Sequence, residues 1–266
     1  RANWKERLNE AGVQGYRIIS TANGIALARL DTMQYEYALL YTSSGVFFSR
    51  RAFETEYAMR VKQGFSLIEH LFLSRSCEIS PPTPYNELPE VRGDNCEYND
   101  LFIIERIKGS ESPQKYRLAQ HIPRWRELNG EATLTEQLNE DLAKAFYPTH
   151  AFSKYEVLSQ PTADQGLLAG ERVELRVLTG DLPKKVNEFA QQGYRLAISN
   201  YEIAVMARRK GETRPTSYIW LDATKKDFAK RLAQIQEQGA VYLTTYPDQH
   251  GEEKNLIVEL PSVRNS

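Results

Sequence analysis

One short segment occurs twice in the chain with its spacing intact. Gly15-Tyr16-Arg17-Ile18 followed by Ile25-Ala26-Leu27-Ala28-Arg29 returns as Gly193-Tyr194-Arg195-Leu196 followed by Ile203-Ala204-Val205-Met206-Ala207-Arg208, with the same ten-residue offset from Gly to Ile. Looser copies follow Gly64 and Gly239, as Gly64-Phe65-Ser66-Leu67-Ile68 and Gly239-Ala240-Val241-Tyr242-Leu243. Such self-similarity means one supersecondary unit used several times, and it constrains the fold more than composition does.

The residues before each Gly have helical period. Trp4, Leu8 and Ala11 form one apolar stripe; Phe53, Tyr57 and Val61, then Val186, Phe189 and Ala190, then Phe228, Leu232 and Ile235 form three more. Asn3 with Glu6 and Thr224 with Asp227 have capping-box spacing, and Asp181 stands two before Pro183 at a helix start. A residue with positive φ just past a helix turns the chain into the next strand with little strain, and Gly tolerates it. Gly15, Gly64, Gly193 and Gly239 are therefore expected to be structural helix exits that require no ligand.

Short apolar or alternating runs follow each exit, and a further strand precedes each later helix, at Tyr35 to Tyr41, Tyr116 to Ile122, Val173 to Leu178 and Tyr218 to Leu221. The unit is strand-helix-strand-strand. Five are expected, the first without its leading strand. The third keeps Thr133 with Glu136 as a capping box and Leu134, Leu138 and Leu142 as a stripe, but has no exit Gly. N-cap-to-Gly distances of 12 in the first and fourth units and 15 in the second and fifth suggest a short-long pair used twice.

One unit of this size buries too little alone, so units must combine. The expected fold class is α+β, with tandem βαββ repeats forming mostly antiparallel sheets and helices packed on one face. Two units pairing strands would make a larger sheet. The expected divisions are an N-terminal pair at 1-110, a degenerate middle unit at 111-170 and a C-terminal pair at 171-266.

Composition bears mainly on what the chain binds. Lys and Arg number 34 against 35 Asp and Glu, for a net charge of -1, with 41% hydrophobic residues. That excludes a disordered tail, a collagen or a coiled coil, and gives no global pull toward nucleic acid or anionic membrane. No apolar run approaches the roughly 18 residues of a spanning helix.

The second unit is interrupted at 76-99 by a stretch holding Pro81, Pro82, Pro84 and Pro89, which reads as a loop. The only two cysteines, Cys77 and Cys96, stand at its ends. If the flanking strands are antiparallel neighbours, the pair falls within disulfide reach, and closing the loop adds about 3 kcal/mol in the chain-entropy model. A disulfide implies an exported protein, periplasmic or extracellular; two unrelated buried thiols, the other reading, would be compatible with the cytoplasm. The pair is not CxxC and no His is near it, which argues against zinc.

His70, His121, His150 and His250 lie in no metal-binding motif, and GxSxG, Walker-type and GxGxxG sequences are missing, so no metal, cofactor or catalytic residue is assigned. Arg50-Arg51, Arg124-Trp125-Arg126 and Arg208-Arg209-Lys210 are basic clusters. The middle one could stack a base and hold phosphate, but Glu127 adjoins it and solvated positive patches are the simpler reading.

Leu8-Asn9-Glu10-Ala11-Gly12-Val13-Gln14-Gly15-Tyr16-Arg17-Ile18-Ile19, and again Val186-Asn187-Glu188-Phe189-Ala190-Gln191-Gln192-Gly193-Tyr194, resemble the helix-to-strand junction of the small DUF4177-like family. The resemblance covers about 12 residues per copy. It implies the repeat unit and no activity, because that family consists of single modules without a known reaction. The functional expectation is a non-catalytic exported or cell-envelope protein that binds a protein or glycan partner through sheet faces or the Cys77-Cys96 loop. The alternative is a hydrolase-type enzyme with its site between two halves, and the third reading is nucleic-acid binding.

Overall fold

The structure, a computed structural model, describes residues 4–20, 26–29, 32–44, 50–79, 91–120, 130–153, 156–161, 173–200, 202–222, 224–247 and 253–260. The fold is α+β. Helix α1 (Trp4–Val13) leads into β1 (Tyr16–Ser20) and β2 (Ala26–Arg29). The second unit is β3 (Tyr35–Ser44), α2 (Arg50–Lys62), β4 (Ser66–Ile79) and β5 (Val91–Ile107). The third is β6 (Arg117–Gln120), α3 (Gly130–Ala143), β7 (Phe146–Ser153) and β8 (Glu156–Pro161). The fourth is β9 (Val173–Thr179), α4 (Leu182–Ala190), β10 (Arg195–Ser199) and β11 (Ile203–Arg209), and the fifth is β12 (Ser217–Asp222), α5 (Phe228–Glu237), β13 (Val241–Pro247) and β14 (Glu253–Leu260).

Every complete unit has the same strand order, with its last strand in the middle: β3-β5-β4, β6-β8-β7, β10-β11-β9 and β12-β14-β13. All these pairings are antiparallel. The leading strand and the strand after the helix therefore run parallel, split by the third. Among the described residues strands pair only within a unit, so the larger sheets expected from the sequence do not form. Helix side chains cover the outer edges of β3, β9 and β12 instead.

The chain divides into two compact units, residues 1–114 and 115–266. The third repeat belongs to the second, with the fourth and fifth. Within it the fourth and fifth sheets each meet their own helix and the preceding one on opposite faces. Leu178, Ala204 and Met206 pack with Leu182, Val186 and Ala190 of α4, whereas Leu175, Val177, Ile203 and Val205 pack with Leu134 and Leu138 of α3. A central strand buried on both faces reads as a continuous apolar run, which is why Ile203-Ala204-Val205-Met206 has no alternation. The 1–114 unit repeats this arrangement. Leu101 and Ile103 face Leu8 of α1, while Phe102 lies 4.6 Å from Phe53 of α2.

Gly15, Gly64, Gly193 and Gly239 have φ of 83°, 90°, 88° and 80°. In the third unit Ala145 holds that place with φ 63°. Two helix starts differ from the sequence expectation. α3 begins at Gly130, so Thr133 is inside the helix. α5 begins at Phe228 behind Asp227, because the Asp222 carboxylate accepts from both the Thr224 N–H at 2.9 Å and its hydroxyl at 2.6 Å and holds that segment in a turn. The fifth helix, with 10 residues, is therefore only one residue longer than the fourth, with 9, and the short-long pairing holds only for α1 and α2, with 10 and 13 residues.

Candidate functional site

The polar chemistry of the described residues gathers between successive units. Asn9 accepts from the Tyr37 N–H at 2.8 Å and donates to the Tyr37 carbonyl at 3.0 Å. Asn139 does the same to Leu175, at 2.9 and 3.0 Å, and Asn187 to Tyr218, at 2.8 and 3.0 Å. Each carboxamide acts as a substitute strand residue, since it carries a donor and an acceptor at one end. Each also donates one turn back along its own helix, to the carbonyls of Lys5, Thr135 and Pro183. The three asparagines stand six residues before the positive-φ exits Gly15, Ala145 and Gly193. The corresponding residues of α2 and α5 are Ala58 and Ala233.

On α3 the contact extends to three rungs. Glu131, Thr135 and Asn139 accept from the N–H groups of Thr179, Val177 and Leu175 at 2.8, 3.0 and 2.9 Å. Four helical residues rise about 6 Å and two strand residues about 6.6 Å, so the rungs stay in step. Lys185 also reaches Glu131, at 2.9 Å. Burial pushes the Glu131 carboxyl up, but bonds from Thr179 and Lys185 outweigh it and hold the group below its ordinary value.

A buried carboxylate closes the first interface. Arg17 Nη2 and Nε lie 2.6 and 3.0 Å from Glu105 Oε1, and the Tyr37 hydroxyl donates to Glu105 Oε2 at 2.7 Å. Tyr37 is opposite Glu105 in the β3–β5 register. Burial, then the bond to Glu105, raises the Tyr37 phenol far above its usual range. The fourth and fifth units carry a looser counterpart. Tyr218 is opposite Glu259, Arg195 Nε lies 3.4 Å from Glu259 Oε1, and the Tyr218 oxygen accepts from the Leu196 N–H at 2.9 Å. Burial pushes Tyr218 up to about 12. Both Glu105 oxygens are occupied by side chains of β1 and β3, so this carboxylate ties strands together.

The second notable feature is the β4–β5 ribbon. β3 ends at Ser44 opposite Tyr98, whereas β4 and β5 remain paired beyond it. In that extension Cys77 is opposite Cys96. Residues 76–79 and 91–99, expected to be loop from the prolines and their position, are instead strand, because the two segments pair with each other across the ribbon. Residues 80–90, with all four prolines, lie outside the described residues, as do His121, His250 and Arg124-Trp125-Arg126.

The remaining sequence candidates are dispersed. The His70 ring stacks on Phe102 at 4.6 Å, and His150 Nδ1 lies 3.1 Å from the Thr149 hydroxyl. Arg208 pairs with Glu174 at 3.0 Å and lies over the Tyr194 ring, while Arg50 and Arg51 begin α2. Among the described residues no group of three or more His, Cys, Asp or Glu could hold a metal, and no helix is long and apolar enough to cross a membrane. Asn9, Asn139 and Asn187 were given no role by sequence reasoning. Their signal was the constant six-residue distance to the helix exit.

Comparisons with protein-family models, with curated proteins and with solved structures find no match.

Proposed function

We propose that the chain is a non-catalytic binding protein of an oxidising compartment outside the cytoplasm, and that it engages a protein partner through the β4–β5 ribbon. The observation that carries this reading is the continuation of β4 and β5 past Ser44, the end of β3. A two-stranded ribbon beyond its sheet adds little core and is marginal by itself, so its length calls for another purpose. Beyond Tyr98 no strand of the described residues pairs with β5 on the side that β3 occupied, and our reading places an extended segment of another chain there. The polar side chains between units support the same reading, because they are engaged in holding strands.

The test compares the full chain with a variant in which 80–90 is replaced by a short Asn-Gly turn. Both are cross-linked in extracts of the native source, and the partner is then purified and titrated. Saturable binding that the turn variant loses at unchanged thermal stability supports the proposal. Equal binding by both proteins, glycan capture without a protein, or turnover of a substrate by the full chain overturns it.

A further inference from the structure

We infer that Cys77 and Cys96 form a disulfide across a non-hydrogen-bonded pair of the β4–β5 ribbon, a covalent site that fastens the ribbon inside its outermost pair, Ile79 and Val91. The backbone register carries the argument. Tyr37 gives its N–H and C=O to Asn9, on the side of β3 away from β5. Tyr37 and Glu105 are therefore a non-hydrogen-bonded pair, and the backbone groups of Glu105 face β4. The alternation continues unshifted along β3–β5 from Ile107 to Tyr98, and along β4–β5 from Tyr98 through Glu97 to Cys96. The shifts at Leu67/Glu69 and Phe72/Ser74 add residues to β4 and leave the count along β5 unchanged. Odd-numbered residues of β5 thus turn their backbone groups to β4 and even-numbered ones turn them away.

An independent contact agrees with this parity. Leu67, opposite Ile104, donates its N–H to the Tyr57 hydroxyl at 3.0 Å rather than to β5. Cys96 is even-numbered, so Cys77 and Cys96 form a non-hydrogen-bonded pair. Directly opposed residues of that kind have Cα atoms about 4.5 Å apart, within the range a disulfide spans. At a hydrogen-bonded pair the side chains would be held further apart.

The bond forms by exchange with a disulfide oxidant such as oxidised glutathione. The Cys77 and Cys96 thiols lose two protons and two electrons as the S–S bond forms, and the electrons reduce the oxidant's disulfide to two thiols through a mixed intermediate. This inference does not depend on a partner. Mass analysis reads it, whereas partner engagement is read by binding, so either of these can fail alone; the oxidising compartment of the preceding proposal rests on this bond.

The experiment uses the full chain equilibrated with oxidised and reduced glutathione, quenched in acid, alkylated and digested with trypsin. Cleavage after Arg75, Arg92 and Arg106 leaves Cys77 in peptide 76–92 and Cys96 in peptide 93–106. The expected product is these two peptides joined, lighter than their sum by two hydrogens, in protein that runs as one chain on a non-reducing gel; reduction separates them. Both peptides fully alkylated before reduction, or Cys77–Cys77 and Cys96–Cys96 links between copies, would overturn the inference.

Discussion

The Asn9 carboxamide satisfies both backbone groups of Tyr37, accepting its N–H at 2.8 Å and donating to its carbonyl at 3.0 Å. A helix of one unit thereby closes the open edge of the next unit's sheet. The same contact at Leu175 and Tyr218 joins the third, fourth and fifth units, and the alanines of α2 and α5 mark where it stops.

Replacing Asn139 or Asn187 by Ala leaves one partly buried N–H and one carbonyl without their partner. The expected loss is about 1–3 kcal/mol for each, measured by urea unfolding. Ala233→Asn, at the corresponding place on α5, should give no comparable gain.

Close approach makes a second prediction. A Cβ on Gly12 would lie 2.4 Å from the Tyr35 carbonyl oxygen, so Gly12→Ala must push α1 off β3 and should cost about 1–3 kcal/mol in chemical denaturation. The opposite change applies at Ala145, whose φ of 63° suits glycine. Ala145→Gly should raise thermal stability by about 1 kcal/mol, since the relieved strain exceeds the added chain entropy.

Glu105 and Glu259 occupy equivalent registers but different surroundings. Glu105→Gln weakens bonds to Arg17 and Tyr37 around a buried carboxylate and should cost about 2 kcal/mol. Glu259→Gln, facing a half-exposed Arg195 at 3.4 Å, should cost under about 1 kcal/mol. Parallel denaturation curves test the contrast.

Much of this architecture is legible in the sequence, and the rest is hidden for physical reasons. Helical stripes such as Val186 and Ala190 are local, as is the turn geometry at Gly193. The asparagine contacts are not, because Asn139 and Leu175 are 36 residues apart and nothing local to either names the other. The start of α5 was obscured by the competing claim of Asp222 on Thr224. At the candidate ribbon, spacing suggested that Cys77 and Cys96 could meet, but the backbone parity at that pair depends on Asn9 and Tyr37, far away in the chain.

Acid should remove one interface contribution. Glu131 lies below its ordinary value in the folded protein, so its stabilisation is present above the unfolded pKa of about 4.3 and is lost as pH falls through the lower folded value. Glu131→Gln should be less stable than the native protein at pH 7, with the gap closing in the acid range. Thermal melts across pH measure it.

A helix side chain replaces a neighbouring strand at the three joints made by Asn9, Asn139 and Asn187, and amide hydrogen exchange by NMR reads that replacement directly. The Leu175 and Tyr218 amides should exchange slowly in the native protein. Asn139→Ala should accelerate Leu175 by about tenfold or more and leave Tyr218 unchanged, and Asn187→Ala should do the reverse, a tenfold change corresponding to about 1.4 kcal/mol of local protection. Unchanged exchange at the matching amide, or equal acceleration at both, would contradict the account.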